Sequence, residues 1–366
     1  MLLKEIVING FRNLLHIRIN ADRGMNILIG DNGQGKTNFL EAIYFLIFGY
    51  SFRSSDQQVL INYGGENFKI EGIYQIEDRI IRSSISYDRI KGKKFLLNEK
   101  KATQAEQELK TVLFTPDDLY LVKGAPKLRR EMIDNGLKQI SKEYGLRLEN
   151  YTKLLKKRNY FLNAGQSDTK IFAALNQTFI EQGAKVVLAR MKYIQFLDEV
   201  LRDIFPAIDY GANPIKVKYA LSFPLDNDKI NEEILYRKIE EQLAAKNETE
   251  KKRRMTLTGP HLDDLHIYLG GKTARQYCSQ GQQRSIVIAL KLAQIICAEK
   301  IKGTFPIFLL DEVLSELDEQ KRKALLTYLE KAPFQSFLTA VNTDYVKTVK
   351  QAGFTYIKEG VIVRKE

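Results

Sequence analysis

Two cysteines and three histidines in 366 residues leave little room for sulfur or imidazole chemistry. Cys278 and Cys297 cannot make a disulfide framework in so long a chain. Both stand in or beside an expected helix and read as packing residues, which fits a reducing cytoplasm. His261 has Asp263 and Asp264 close by but no further ligand at a suitable spacing, so a structural role is expected rather than a metal site. Long apolar runs are missing too. Phe39–Phe48 is too short to span a bilayer and carries Glu41, so no membrane insertion is expected. Met1–Phe11 alternates apolar residues and holds Glu5, the pattern of a strand rather than a signal peptide. There is no short repeat, no low-complexity tract and no sustained heptad pattern, which excludes a long coiled-coil arm.

What is present is a globular composition, 44% hydrophobic, with 57 Lys and Arg against 45 acids. The formal charge of +12 and pI near 9.3 favour a polyanionic partner. Along the chain, Leu2–Ile8, Ile17–Asn20, Met25–Ile29, Phe68–Tyr74, Ile80–Tyr87 and Phe95–Leu97 read as strands, and Thr37–Phe48 as a helix apolar on more than one face. From about Arg129 the pattern turns helical, through Leu146–Leu162, Lys170–Leu201 and Asn231–Lys246, with Pro206, Pro214 and Pro224 between the last two. The run Lys251–Arg254 closes this stretch, and α/β character returns from Thr256.

Gly30-Asp31-Asn32-Gly33-Gln34-Gly35-Lys36-Thr37 has the spacing of a P-loop, behind an apolar strand and ahead of a helix. The glycines let backbone N–H groups close around phosphates, and the helix start adds a positive dipole. Lys36 is expected to reach the β- and γ-phosphates, and the Thr37 hydroxyl to ligate Mg2+. Pro306–Leu310 is an apolar strand ending in Asp311 and Glu312. Asp311 suits a direct or indirect Mg2+ partner, and Glu312 a general base for the attacking water. Ser279-Gln280-Gly281-Gln282-Gln283-Arg284 opens a helix running to about Lys300 and offers a second phosphate-binding surface; the plain alternative is simple capping of that helix by Ser279. Ser315-Glu316-Leu317-Asp318 follows the acidic strand.

That order of motifs resembles the ABC ATPase head. Within that class the chain is similar to the RecF family of bacterial recombination and repair proteins over nearly its whole length. Matching stretches are Asn9–Asn13, Asn38–Tyr44, Ser51–Arg53, Phe114–Leu119, Gly259–Leu265 and Ser279–Arg284. The resemblance implies an α/β fold: an ABC-type head with a mixed sheet flanked by helices, an inserted mostly helical lobe and no coiled-coil arm. The head's first half would span residues 1–116, the lobe 117–254 and the second half 255–366. It implies ATP and Mg2+ as cofactors, DNA as partner, an ATP-dependent homodimer, recombination mediator proteins, and help in loading the strand-exchange protein at gapped DNA. It places Arg12 and Asn13 near the nucleotide, sets Ser279, Gly281 and Gln282 against the γ-phosphate held by the other copy, and puts the turn Ser315–Asp318 at the dimer seam. Two departures from the wider ABC pattern point to slow turnover. No glutamine stands near Val112–Phe114, and Asn342-Thr343 replaces the switch histidine. The rival readings are a transporter ATPase subunit, a DNA scaffold that binds ATP without hydrolysing it, and a small-molecule kinase. The long insertion and the Ser279 signature count against the first and third.

Between Lys123 and Arg158 eleven Lys and Arg face four acids. Lys123, Lys127, Arg129, Arg130, Lys153, Lys156, Lys157 and Arg158 are the candidates for DNA phosphate contacts, which carry no sequence code.

Overall fold

Alternating burial organises the N-terminal part of the chain. The computed structural model describes residues 1–103, 106–209, 213–225 and 230–365. Strands β1 (Leu2–Phe11), β2 (Leu14–Asn20) and β3 (Met25–Ile29) lead into helix α1 (Lys36–Phe48), followed by β4 (Asn67–Ile76), β5 (Arg79–Asp88), β6 (Gly92–Leu97) and β7 (Lys100–Lys101). All of these except β3 and α1 form one antiparallel sheet in the order β2-β1-β4-β5-β6-β7. Its register lines Ile17, Ile8, Ile70, Ile85 and Phe95 into a cross-strand row, every member buried. The neighbouring row, His16, Asn9, Lys69, Ser86 and Lys94, points to the opposite face, because successive side chains of a strand alternate. A slip of one residue would exchange the two rows, so the isoleucines fix the register.

The chain continues through β8 (Thr111–Phe114), α2 (Pro126–Ile140), α3 (Lys142–Asn163), α4 (Lys170–Ile208), β9 (Ile215–Ala220), α5 (Glu232–Arg253), β10 (Asp264–Leu269), β11 (Lys272–Thr273), α6 (Ala274–Tyr277) and α7 (Gln280–Lys302). It ends with β12 (Ile307–Leu310), α8 (Glu319–Lys331), β13 (Ser336–Ala340), β14 (Ala352–Lys358) and β15 (Val361–Lys365). A second six-stranded sheet has the order β15-β14-β3-β13-β12-β8, parallel throughout except at β15. Strands β3, β12 and β13 are buried at every position, as in a sheet covered on both faces; β12 is wholly apolar, while β3 and β13 also bury Asn26, Ser336 and Thr339. Helix α1 packs on β1, β4 and β5 of one sheet and on β13 of the other. That is why it is apolar around its circumference: Phe39, Leu40, Ile43, Phe45 and Leu46 are all solvent-free. Each such side chain contributes roughly 1.5–3 kcal/mol on burial, so this one helix joins the two sheets into a single core.

The chain divides into two compact units, one of Met1–Leu119, Ile204–Ala212 and Ser279–Glu366, the other of Tyr120–Asp203 and Asn213–Cys278. The second unit is built on α2, α3, α5 and most of α4. Ser141 and Asn231 cap α3 and α5 through their side chains. Helix α4 runs two residues past Pro206, and α5 runs beyond Lys246 because Lys251, Lys252 and Arg253 complement its C-terminal dipole. The unit also holds a three-stranded antiparallel sheet, β11-β10-β9, which the helical pattern of the sequence does not announce.

Candidate active site

The P-loop leaves the buried end of β3, and two of its glycines are required by space. A Cβ on Gly30 would lie 2.3 Å from the carbonyl oxygen of Ile357 on β14. Gly35 has a φ of +115° and stands against the Asn13 side chain, where a Cβ would meet Asn13 Oδ1 at 2.9 Å. Gly35 is also the N-cap of α1 and has no side chain to turn onto the first-turn N–H groups, which stay available to an anion. Asp31, Asn32 and Gly33 are exposed at the tip. Gln34 fastens the loop to the turn between β14 and β15. Its carbonyl accepts from Gly360 N at 3.0 Å, and its Oε1 accepts from Glu359 N at 2.5 Å.

Lys36 is buried, and its Nζ donates to the carbonyls of Gly30 at 2.7 Å and Asp31 at 2.8 Å. Burial lowers its pKa from the ordinary lysine value, opposed by the charges of Glu312, Asp311 and Asp31. Thr37 Oγ1 donates to Asp311 Oδ1 at 2.9 Å, bridging the helix and the end of β12. Burial raises the Asp311 carboxyl, as does the nearby Glu312 charge, while hydrogen bonds from Thr37 and Thr339 pull the other way. A hydroxyl and a partly uncompensated carboxylate, both hard oxygen donors, fit a divalent cation of the Mg2+ class. Glu312 sits at a left-handed φ of 51°, held there by a hydrogen bond from its N–H to Thr339 Oγ1 at 2.7 Å. Thr339 therefore touches both acids, Asp311 at 3.2 Å, yet inside the apolar β13 it carries no sequence signal.

Arg12 and Asn13 divide in role. Asn13 Nδ2 donates to Gly33 O at 3.3 Å and Asn13 Oδ1 accepts from Asn38 at 2.8 Å, so this residue does border the loop. Arg12 spends its guanidinium on both oxygens of the fully buried Glu41, at 3.0 and 2.8 Å. Glu41 also accepts from Ser51 and lies 3.6 Å from Arg53. A carboxylate inside an apolar helix demands such partners, so Glu41 itself was the signal for this cluster. A second, partly buried pair, Lys291 with Asp118 at 2.7 Å, gives one acid of the Phe114–Leu119 stretch its partner.

Ser279 caps α7: its Oγ accepts from Gln282 N at 3.2 Å, and Gln282 Oε1 accepts from Ser279 N at 2.9 Å. Ser279 is exposed, so capping and presentation of this turn to a ligand are compatible. Gly281 faces Lys321 Nζ, 3.1 Å from where its Cβ would be, and Arg284 pairs with Glu316 at 2.6 Å, joining the signature helix to the turn after Glu312.

Two of the eight candidate DNA contacts are corrected. Arg158 is buried between the rings of Phe172 and Phe179 and pairs with the buried Glu250 at 2.5 Å. Arg129 is buried against both oxygens of Asp264, at 2.7 and 2.9 Å. Neither guanidinium has a face left for a phosphate, and removing Arg158 would strand the buried Glu250 carboxylate. Arg130 is half-buried and donates to Asp263 O, whereas Lys123, Lys127, Lys153, Lys156 and Lys157 are exposed.

His261 and the two aspartates next to it have protein partners. His261 Nδ1 meets Tyr151 Oη at 2.6 Å, Asp263 accepts from Tyr219 and from Ser222 N, and Asp264 holds Arg129. Burial, aided by the positive charges of Arg130, Arg158 and Arg190, brings the His261 pKa down to about 4 against the pull of the Thr256 carbonyl. An unfolded histidine titrates near 6.5, so the unfolded chain takes up the proton first as pH falls. The contribution of His261 is then complete above about pH 6.5 and is lost progressively towards pH 4, by at most about 3 kcal/mol. Asp263, whose carboxyl is raised by burial, works in the opposite direction. The difference between wild type and His261→Gln in urea melts across this window should therefore shrink with falling pH. Parallel stability profiles would refute the assignment.

A glycine loop feeding a helix, an acid pair two strands away and a sheet of this order define a P-loop ATPase head. Residues 2–362 match the family described as RecF/RecN/SMC N terminal domain. An SMC head domain from Pyrococcus furiosus superposes with a TM-score of 0.59 at 15% identity, covering all of this chain and 95% of that one, a likeness of fold alone. The DNA replication and repair protein RecF of Bacillus subtilis is 34% identical over 377 aligned residues, covering 100% of both chains. That of Enterococcus faecalis is 34% identical over 100% of this chain and 99% of its own. A solved structure of the recombination mediator protein RecF with ATPrS, from the RecFOR pathway, superposes with a TM-score of 0.88 at 30% identity, covering 99% of this chain and 97% of that one. The chain belongs to the RecF family of DNA replication and repair proteins.

Proposed function

We propose that this chain is an ATP-driven clamp of recombinational DNA repair: two copies close around ATP on DNA, and slow hydrolysis reopens them. The observation that carries this reading is the Thr37–Asp311 hydrogen bond of 2.9 Å, which brings residues 274 positions apart to one point beside Lys36 and Glu312. The amides of Gly33–Thr37 and the Lys36 ammonium would bind the β- and γ-phosphates, with Asp31, Asn32 and Gln34 shaping the loop around them and Gly30 letting it turn away from β14. Thr37 and Asp311 would hold Mg2+, which neutralises phosphate charge when bound. Glu312 would take the proton of a water attacking the γ-phosphorus as the bond to the bridging oxygen breaks, giving ADP and phosphate. Ser279, Gly281 and Gln282 of the opposite copy would cover the γ-phosphate, and Arg12, through Glu41, would keep α1 and the Asn13 contact in place. Turnover is slow and DNA-stimulated in this reading, since Asn342 stands where a switch histidine would act and instead caps the short turn at Thr343–Val346. Recombination mediators and the strand-exchange protein are the protein partners.

A triphosphate shared by two copies stabilises the dimer by mass action. Sedimentation at micromolar protein should give a monomer without nucleotide and a dimer with Mg-ATP. A wild-type chain that stays monomeric at saturating ATP would exclude the clamp.

A further inference from the structure

A second basic stretch lies outside the one singled out for DNA. Between Arg79 and Lys101, eight Lys and Arg face two acids, Asp88 and Glu99. All eight cations are exposed, on β5, β6, β7 and the turn between β5 and β6. Arg79 is spent on Glu108 at 2.7 Å, Arg82 lies 3.7 Å from Glu99, and Lys93 donates to Gly49 O. Arg89, Lys91, Lys94, Lys100 and Lys101 enter no ion pair among the described residues. Asp88 stays ionised, since its carboxylate accepts the backbone N–H groups of Ile90 and Lys91 within the turn, and the stretch keeps its excess of cations with that charge counted.

The sheet spreads these charges into a surface. The row on its solvent face, His16, Asn9, Lys69, Ser86 and Lys94, runs straight across five strands; Lys69 is paired with Glu71 of an adjacent row at 2.8 Å, and Lys94 enters no ion pair among the described residues. Lys101 pairs in register with Leu96, which points to the same face as Lys94. At a strand spacing of about 4.8 Å the row is about 19 Å long, close to the rise of five or six base steps. The one ring in the row is the imidazole of His16, whose Nδ1 meets Asn9 Oδ1 at 2.6 Å; no Phe, Tyr or Trp stands in the row, since Phe95 is in the core and Tyr87 is stacked on Phe68. Single strands are gripped largely by stacking on a series of exposed rings, and a single imidazole does not make such a platform. Cations and small donors with so little stacking surface suit the sugar-phosphate backbone of a duplex.

We propose that the solvent face of this antiparallel sheet, with Arg89, Lys91, Lys94 and Lys101 as its cations, is a docking surface for the phosphate backbone of duplex DNA. It rests on the DNA-binding part of the proposed function and specifies where and in what form DNA is held.

The test compares the full-length wild type, the triple variant Lys91→Ala/Lys94→Ala/Lys101→Ala, the single variant Lys94→Glu, and a control triple variant Lys153→Ala/Lys156→Ala/Lys157→Ala. Fluorescence anisotropy is read on a labelled duplex and on a single strand of equal length over a salt series. Calorimetry with Mg-ATP reports on the integrity of the head. The sheet triple should bind duplex roughly tenfold to a hundredfold more weakly, with a salt slope smaller by about three, and Mg-ATP binding unchanged. Lys94→Glu should weaken duplex binding on its own, which keeps the idea testable should the triple fail to fold. Wild-type duplex affinity in both sheet variants, with loss only in the control triple, overturns this surface and leaves the proposed function standing. An equal loss on single strands overturns the duplex assignment. Tighter binding to phosphatidylglycerol vesicles than to duplex, lost in the sheet triple, assigns the face to a membrane surface instead. A wild type that binds no DNA overturns both readings together.

Discussion

Lys36→Ala should abolish ATP-dependent dimerisation and weaken Mg-ATP binding by roughly tenfold to a hundredfold. The ammonium is buried and bonded to two loop carbonyls, so it is already desolvated and aimed across the P-loop where a triphosphate would lie. A charged hydrogen bond in such a setting is worth about 1.5–3 kcal/mol, and each 1.4 kcal/mol is a factor of ten in affinity. Alanine also deletes the loop's two internal bonds to Gly30 and Asp31, so the melting temperature of the variant has to be read beside its affinity. Calorimetry and sedimentation together decide the matter. A Lys36→Ala chain that dimerises with ATP as the wild type does would remove the P-loop from the mechanism.

Glu312→Gln should have a contrary effect on the dimer. It should slow hydrolysis by roughly a hundredfold to ten-thousandfold, the usual contribution of a positioned general base, while the ATP-bound dimer persists. The two amino acids have nearly the same shape, and the left-handed backbone at this position is held by the bond from Glu312 N to Thr339, which the change leaves alone. The negative charge next to Asp311 disappears, so a tighter rather than looser hold on the nucleotide is expected. Single-turnover hydrolysis and dimer lifetime are the two readings. If the variant hydrolyses ATP at the wild-type rate, Glu312 is not the base.

The parts of this architecture that follow from local patterns could be read before the structure was seen. The isoleucine alternation of β1 and β4, the uninterrupted apolar run of β12, and the glycine spacing of residues 30–37 each state their environment within a few positions. What could not be read depends on partners far away in the chain. Arg158 ends a Lys-Lys-Arg run that looks like a solvated helix face, and only Glu250, with Phe172 and Phe179, turns it inward. Strand β9 pairs with β10 across the whole of α5, and neither strand alone outweighs the helical composition around it. Thr339 is one hydroxyl inside an apolar strand, and its importance lies entirely in what stands at the end of β12. The charge of the second sheet face was equally hidden, because Lys69, Lys94 and Lys101 become neighbours only through strand pairing.

The fastening of Gln34 to the turn at Glu359 and Gly360 reaches beyond geometry. It makes the β14–β15 hairpin a brace for the mouth of the phosphate loop, although 325 positions separate the two. A fusion or epitope placed close behind that hairpin would load the brace directly, whereas one ahead of β1 would not touch it, and this asymmetry should guide how the protein is immobilised for single-molecule work.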